Sequence, residues 1–529
     1  MKSKIMKSQI LKNIFSNYVA RVIGMLLGFL IIPFLIRKLG TEAYGLVVLA
    51  ESTIAVVEIV TISVRMALSR HATYSLSQNK TDEFVEYLST GRVLLYFSAA
   101  ITLTAGFLVS FYFPDLFRVP AAFETQSKVL FFLITTGFVI TVPNTVYWSV
   151  LYAKQRFDLI NLCNSFGLIA RAFCLFALFS FLPQRYVSLP VYGLVYLLMQ
   201  AIENYFVFFM HKRLMPGLRL SAKRFKKEKV REILSFSFHT SLSRLSLALP
   251  GSIVNIIVNL FWGPAYNAIY SVSMKFPMMM RRMFSEATWS LTPTFTDLAA
   301  RKDRERLEAL FFMYSKAVSI VTMPLSLVLI LLARPLIRLW VGEDFEMAGR
   351  LLPIMAFPLL FSIPFSVCAC LNNAYAKVKW PSLMGVVSTV FSLSVGSLLA
   401  LKFGMELFGF AIASCVSALL YMTFFTPFYA CRIAGIPVRR YLVESLIKPL
   451  SWALVGFGAG LVLFDRLCHD QLLSPVFLAG LAALFVLHFV GAYVFLLVPK
   501  EKKHIADFSK VIVSAFKRPF AGVPEEDRV

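Results

Sequence analysis

Long apolar runs separated by short polar segments dominate the pattern along the chain. Most runs reach about 20 residues, enough for a helix rising about 1.5 Å per residue to cross a hydrocarbon core of about 30 Å. Backbone polar groups in lipid must be paired within the segment, so the runs are predicted to be helices. The pattern predicts fourteen membrane spans, at 14–36, 44–67, 88–112, 127–151, 161–182, 190–210, 233–260, 266–289, 310–332, 351–372, 383–401, 408–430, 449–464 and 473–498.

Composition agrees with a polytopic, all-α membrane protein. Hydrophobic residues make up 58% of the 529 positions and charged residues only 16%, against about 45–50% and 25% in soluble domains. The net charge of +24 would suggest a nucleic-acid partner in a soluble chain. Here the positive-inside rule explains it, because about 34 of the 53 Lys and Arg fall in one set of alternating loops. Both termini are therefore predicted to be cytoplasmic, and no nucleic-acid partner is expected.

The sequence contains a weak internal repeat. At an offset of 223 residues Arg21 aligns with Arg244 and Gly40 with Gly263. Six spans separate the copies, so both halves should have the same orientation and enclose a central cavity. The predicted parts are an N-lobe of helices 1–6 (1–210), a basic cytoplasmic linker (211–232), a C-lobe of helices 7–12 (233–431), the additional helices 13–14 (432–498) and a cytoplasmic tail (499–529).

Charged residues inside the spans are the candidate functional residues, because a charge at the bilayer centre costs at least about 2.5–3.5 kcal/mol. Cations outnumber acids there, which is tolerable if the cations line a wet cavity or meet an anionic substrate. The guanidinium group also matches phosphate oxygens in shape. The candidate substrate-binding residues are Arg21, Arg244, Lys275, Arg281 and Arg171, and the candidate coupling acids are Glu51 and Glu58.

Two further intramembrane charges have simpler explanations. Lys316 lies nearer a span end, where an ammonium group that extends to the interface is as good an explanation as a function. For Glu203 a structural polar contact is the favoured interpretation.

Known catalytic and metal-binding motifs are missing from the sequence. There is no phosphate-binding Gly-x-x-x-x-Gly-Lys-[Ser/Thr], no His-Glu-x-x-His and no Gly-x-Ser-x-Gly. The seven Cys show no zinc or disulfide spacing. The short outer loops leave no room for a catalytic domain. We therefore expect no enzyme activity, no catalytic residues, no cofactor and no metal site.

Two motifs carry a family resemblance. One is the turn Tyr152-Ala153-Lys154-Gln155-Arg156, which has a copy at 375–379. The other is the opening pattern Asn17…Arg21…Gly28…Pro33…Arg37-Lys38-Leu39-Gly40…Tyr44-Gly45. The chain resembles the Wzx-type O-antigen and exopolysaccharide flippases, the polysaccharide transporter branch of the multidrug/oligosaccharidyl-lipid/polysaccharide exporter superfamily.

The resemblance implies a function. Such proteins move an undecaprenyl-diphosphate-linked oligosaccharide across the bacterial inner membrane by alternating access, for O-antigen, capsule or exopolysaccharide synthesis. Cavity arginines on the first helices of the lobes are thought to hold the diphosphate, which matches Arg21 and its repeat partner Arg244. The expected partners are this lipid-linked oligosaccharide, membrane lipids and other polysaccharide-assembly proteins.

Three alternatives stay open at this point. A cation-coupled drug or small-molecule exporter of the same superfamily would use Glu51 or Glu58 for coupling. A membrane-embedded polysaccharide polymerase or ligase would need an essential residue in an outer loop. A scaffold for a biosynthetic complex would tolerate replacement of the cavity arginines.

Overall fold

The computed structural model describes residues 2–289, 291–462, 474–499 and 501–502, with the backbone alone at 2–15, 18, 185, 239–240, 242–250 and 286–287. The chain is mostly helical in these ranges, with short turns and loops between the helices, and no strand occurs in them. The α-helices are α1 (Lys2–Leu39), α2 (Thr41–Ser77), α3 (Thr81–Phe111), α4 (Phe113–Leu116), α5 (Glu124–Ala153), α6 (Phe157–Phe181), α7 (Leu189–Leu214), α8 (Lys227–Trp262), α9 (Pro264–Trp289), α10 (Thr292–Ala300), α11 (Arg304–Leu331), α12 (Ala333–Val341), α13 (Glu346–Ala356), α14 (Leu359–Ser362), α15 (Ser366–Ala374), α16 (Lys379–Leu401), α17 (Glu406–Ala418), α18 (Thr426–Ala434), α19 (Val438–Leu442), α20 (Lys448–Trp452) and α21 (Pro475–Gly491).

Short helical turns of other types complete the described chain. Four single turns are 3₁₀-helical, and four π-helical segments continue neighbouring α-helices. The 3₁₀ turns are Ala121–Phe123, Gln184–Tyr186, Ala222–Arg224 and Glu343–Phe345, and the π segments are Leu419–Phe425, Val443–Ile447, Ala453–Gly458 and Ala492–Leu496.

Twelve helical segments among the described residues are long and apolar enough to cross a membrane. The all-α membrane fold is therefore confirmed. The predicted seventh and eighth spans coincide with α8 and α9, but neither helix is among the twelve, and only Gly251–Trp262 forms a shorter apolar helix there. In α9 the charges of Lys275, Arg281 and Arg282 lower the hydropathy, whereas in α8 the side chains of 239–240 and 242–250 lie outside the described residues. The number fourteen, like the arrangement in two lobes, stays a prediction.

The described chain divides into two compact units. The first comprises 1–279, 337–351 and 382–417, and the second comprises 280–336, 352–381 and 418–529. Within the first unit α5 packs on α7 and α3, α2 packs on α8 and α5, and α1 packs on α6. Within the second unit α11 packs on α10, α14 and α20, and α10 packs on α15.

Local turns repeat at the offset found in the sequence. Gly40 and Gly263 have φ values of 89° and 85° between consecutive helices, a left-handed region that glycine enters without steric cost. Asn79 and Lys302, also 223 apart, both have φ of 59°. The backbone N–H of Asn79 donates to Leu76 and that of Lys302 donates to Ala299. Equal turns at equal offsets are what an internal duplication predicts.

The second unit contains a buried ion pair that the sequence did not predict. Lys316 on α11 is 5% exposed, and its ammonium donates to both carboxylate oxygens of Glu501 at 2.9 and 3.0 Å. Glu501 also accepts the backbone N–H of Val498 at 2.9 Å. The ammonium of Lys316 is therefore not solvated, because a buried carboxylate satisfies its charge inside the protein.

Nearby hydrogen bonds fasten the last helices to α11. The imidazole Nε2 of His488 lies 3.0 Å from the carbonyl oxygen of Ile320. The indole N–H of Trp452 donates to the carbonyl of His488 at 3.2 Å. The additional helices are thus joined to α11 and to each other by buried polar contacts as well as by apolar packing.

Candidate functional site

Two polar stripes on neighbouring helices of the first unit meet in one cavity. On α6, Asn161, Asn164 and Arg171 share a face because they lie three and seven residues apart. On α7, Tyr192, Tyr196, Gln200 and Glu203 follow the same helical period. The cavity has a volume of about 400 Å³ and is lined by Ala20, Arg21, Asn161, Asn164, Gly167, Leu168, Arg171, Met199, Gln200 and Glu203.

Helix α1 brings Arg21 to this cavity. The side-chain amide of Asn161 donates to Asn17 Oδ1 at 2.6 Å, and further along the pair the rings of Phe34 and Phe176 lie 4.7 Å apart. Residue numbers increase on both helices from the first contact pair to the second. Helices α1 and α6 therefore run in the same direction, as expected for the first and fifth spans. Arg21 lies one turn beyond Asn17 and is solvent-exposed at the cavity wall.

Arg171 is held by groups from two other helices. Its Nη2 lies 3.9 Å from Glu51 Oε1 on α2, and its guanidinium lies 5.3 Å from the ring centroid of Tyr196. Glu51 Oε1 also accepts a hydrogen bond from the Tyr192 hydroxyl at 2.8 Å. The ion pair is long and partly open, with side chains 32% and 40% exposed. Arg171 therefore has donors left for a ligand, since a guanidinium carries five N–H groups.

Glu203 enters the cavity because α6 has a glycine opposite it. A Cβ at position 167 would lie 2.3 Å from Glu203 Oε2 and 2.7 Å from its Cδ. Gly167 therefore makes room for the carboxylate. Gln200, one turn earlier on α7, donates to the Tyr196 hydroxyl at 3.3 Å. The cavity combines two guanidinium groups, one carboxylate and three side-chain amides.

Such a set can bind a hydroxyl-rich anion. Guanidinium groups pair with phosphate oxygens, often through two parallel hydrogen bonds. Amide and carboxylate groups provide both donors and acceptors for sugar hydroxyls. Among the described residues no group of three or more His, Cys, Asp or Glu could hold a metal ion.

A family model described as "Polysaccharide biosynthesis protein" matches residues 10–299, more than half of the chain. The chain belongs to this family. The predicted resemblance is confirmed: the protein is a membrane transporter of the flippase type in polysaccharide biosynthesis. A second model, described as MatE, matches residues 240–398. The matched families are transporters and flippases, so the prediction that the chain is not an enzyme is also confirmed.

Two curated relatives are described as membrane proteins. The "Uncharacterized membrane protein EpsK" of Bacillus subtilis is 21% identical over 457 residues, covering 84% of this chain and 87% of the relative. The "Uncharacterized membrane protein in cps region" of Klebsiella pneumoniae is 25% identical over 274 residues, covering 51% and 48%.

Solved structures show the fold of this family member. The lipid II flippase MurJ in an inward closed conformation superposes with a TM-score of 0.68 at 16% identity, covering 92% of this chain and 98% of MurJ. An inward-facing multidrug resistance MATE transporter gives a TM-score of 0.66 at 13% identity, covering 80% and 99%. The fold is therefore of the MurJ and MATE type.

The predicted site residues of this family member separate into groups. Arg21 and Arg171 line one cavity, with Glu51 paired to Arg171. Lys275 and Glu58 are exposed on α9 and α2, outside the lining of this cavity. The structure therefore brings Arg21, Arg171 and Glu51 together at one cavity, and it places Lys275 and Glu58 outside its lining.

The other two predicted residues have separate outcomes. Arg281 belongs to the second compact unit. The side chain of Arg244 lies outside the described residues, so its predicted pairing with Arg21 stays a prediction.

The sequence interpretation missed the uncharged members of the cavity. Asn161, Asn164 and Gln200 lie in apolar runs at helical spacing from Arg171 and Glu203. A search for polar rather than charged stripes would have found them. The role of Gly167 depends on a neighbouring helix and leaves no local signal.

Proposed function

We propose that this protein moves an undecaprenyl-diphosphate-linked oligosaccharide across the bacterial inner membrane by alternating access, with both termini in the cytoplasm. The observation that carries the proposal is the cavity in which Arg21 and Arg171 lie beside three side-chain amides. The arginines would hold the diphosphate, while the amides and Glu203 would contact sugar hydroxyls.

Three further facts support the proposal. The family is one of polysaccharide biosynthesis, one curated relative lies in a cps region, and the similar MurJ structure is a flippase of lipid II. The lipid tail would stay in the bilayer while the polar head crosses through the cavity. A negative interior favours outward movement of an anion by about 2.3 kcal/mol per charge per 100 mV.

Complementation of a strain lacking this transporter tests the proposal. We expect Arg21→Ala and Arg171→Ala to abolish surface polysaccharide at normal membrane abundance, and Arg→Lys variants to retain part of it if charge alone matters. Arg92→Ala is the matched control, because Arg92 lies on α3 outside the cavity, where it donates to Tyr96. Normal polysaccharide in both cavity variants would overturn the assignment.

A second candidate function follows from the MatE match to residues 240–398. A cation-coupled exporter would use Glu51, paired with Arg171, or Glu58 for coupling. This alternative predicts altered drug susceptibility and unchanged surface polysaccharide on deletion of the gene. The proposed flippase predicts the reverse, so one deletion strain distinguishes the two functions.

A further inference from the structure

The first turns of α8 have two faces with different surroundings. One face is docked on α3: Lys229 Nζ lies 3.5 Å from Glu83 Oε1 and 3.7 Å from Glu86 Oε2. The hydroxyl of Tyr87 donates to Glu232 on the same face. These contacts fix the rotation of α8 about its axis at its basic end.

The docked face continues one turn further with Phe236. The guanidinium of Arg70 on α2 lies 4.9 Å from the centroid of the Phe236 ring, and the His71 ring lies 6.3 Å from it, edge to face. Positions 229, 232 and 236 therefore define the side of the helix that faces the first unit.

The opposite face is an open groove with cations at one end and apolar side chains at the other. Leu234 is 49% exposed and Phe238 is 67% exposed, and Lys227 and Arg231 are exposed one helical turn apart. The groove has a volume of about 580 Å³ and is lined by Lys227, Val230, Arg231, Leu234, Ser235 and Phe238.

The order of cationic and apolar side chains along this groove matches one class of ligand. Arg231 precedes Phe238 by seven residues, which is about 10 Å along the helix axis. A phospholipid has the same order, with a phosphate at the interface and acyl chains in the hydrocarbon. Basic residues near an anionic membrane surface each add to the attraction for acidic lipids. None of the groove residues lines the Arg21 cavity.

We propose that this face of α8 is a binding site for an anionic phospholipid. Lys227 and Arg231 hold the headgroup phosphate, and Leu234 and Phe238 contact an acyl chain. The ligand is a resident lipid distinct from the transported substrate, since the groove lacks the amide and carboxylate groups that line the cavity. Bound lipid lies on the side of these turns opposite the contacts with α2 and α3.

Thermal unfolding of the purified full chain in detergent, with added lipid, tests the proposal. Phosphatidylglycerol is expected to raise the Tm, and phosphatidylcholine is expected to raise it less. In Lys227→Gln/Arg231→Gln the apparent affinity for phosphatidylglycerol should fall about tenfold. Arg219→Gln/Lys223→Gln is the matched control, because it removes the same charge from the same basic segment outside the groove, and it should keep the wild-type response.

Three outcomes would overturn the proposal. Equal loss of response in both double variants would show general attraction to the basic segment. An equal Tm shift with inorganic phosphate would show that no lipid is needed. An unchanged response in Lys227→Gln/Arg231→Gln would place the lipid elsewhere. If this double variant does not fold, Arg231→Gln and Phe238→Ala are compared singly, with loss of affinity expected in both and an unchanged affinity in both counting against the site.

Discussion

Arg171 in the first unit and Lys316 in the second are both cations in predicted spans, and each faces a carboxylate. The Arg171–Glu51 pair is 3.9 Å long, with 32% and 40% of the side chains exposed. The Lys316–Glu501 pair is made at 2.9 Å, with 6% and 11% of the side chains exposed. Glu501 uses both carboxylate oxygens within the protein, whereas Arg171 keeps donors that face a cavity.

The contrast separates two uses of charge in a membrane protein. A closed pair cannot exchange partners without leaving a buried charge uncompensated, so it suits a structural role. An open pair can exchange its internal partner for a ligand, because water and ligand both reach it. Burial and pairing together, rather than depth in the membrane, therefore indicate which intramembrane charges to test for transport.

The largest expected effect comes from breaking the closed pair. Glu501→Gln leaves the Lys316 ammonium buried without a counter-charge and should lower the free energy of unfolding by about 3–5 kcal/mol. The additional change Lys316→Met should recover most of this loss, since Gln still accepts the Val498 N–H. The loss and the recovery are measured by thermal unfolding of the purified variants and by their abundance in membranes. A Tm of Glu501→Gln within error of the wild type would contradict a structural role.

Removing the carboxylate charge from the exposed Arg171–Glu51 pair should affect ligand binding more than stability. Glu51→Gln should change the free energy of unfolding by no more than about 1 kcal/mol, because the pair is partly exposed. Without its competing carboxylate, Arg171 should bind a diphosphate more tightly, about threefold to tenfold. Native mass spectrometry with a polyprenyl diphosphate measures the binding. Weaker binding in Glu51→Gln would mean that Glu51 orients Arg171 instead of competing for it.

A smaller effect should come from narrowing the cavity. Gly167→Ala places a methyl group 2.3 Å from Glu203 Oε2, so Glu203 must move and surface polysaccharide should fall about threefold at normal abundance. Gly28→Ala on α1 is the matched control, since a Cβ there meets nothing within 4 Å. Equal activity of the two variants would remove Glu203 from the working cavity.

The smallest effect is expected from Tyr196→Phe. This change removes the hydroxyl that accepts from Gln200 but keeps the ring beside Arg171, so the cation–π contact of about 0.5–2 kcal/mol persists. Surface polysaccharide should stay within twofold of wild type. Tyr196→Leu, which removes the ring, should reduce it further. Equal defects in the two variants would assign the role to the hydroxyl.

Much of the fold follows from the sequence. The apolar runs predict the positions of the helices, and the offset of 223 residues predicts that Gly40 and Gly263 form equal turns. Lys275 and Glu58 show the limit of this inference. A helical period tells which residues share a face, but the neighbour of that face is set by tertiary packing.

The buried Lys316–Glu501 pair shows even more clearly that a local pattern does not reveal tertiary neighbours. Lys316 and Glu501 are 185 residues apart, and Glu501 falls in the segment predicted to be a cytoplasmic tail. No local pattern joins them. The cavity residues Asn161, Asn164 and Gln200 are an intermediate case. They recur at helical spacing, so a search for uncharged as well as charged polar residues would find them.

Glu501 also determines where this chain can be shortened or extended. A reporter fused after Lys502 keeps the carboxylate that neutralises Lys316, whereas one joined at Pro499 removes it. Two fusions that differ by three residues should therefore differ sharply in yield while marking the same side of the membrane. Topology mapping with such reporters should use the longer fusion, because a weak signal from the shorter one would report lost protein rather than location.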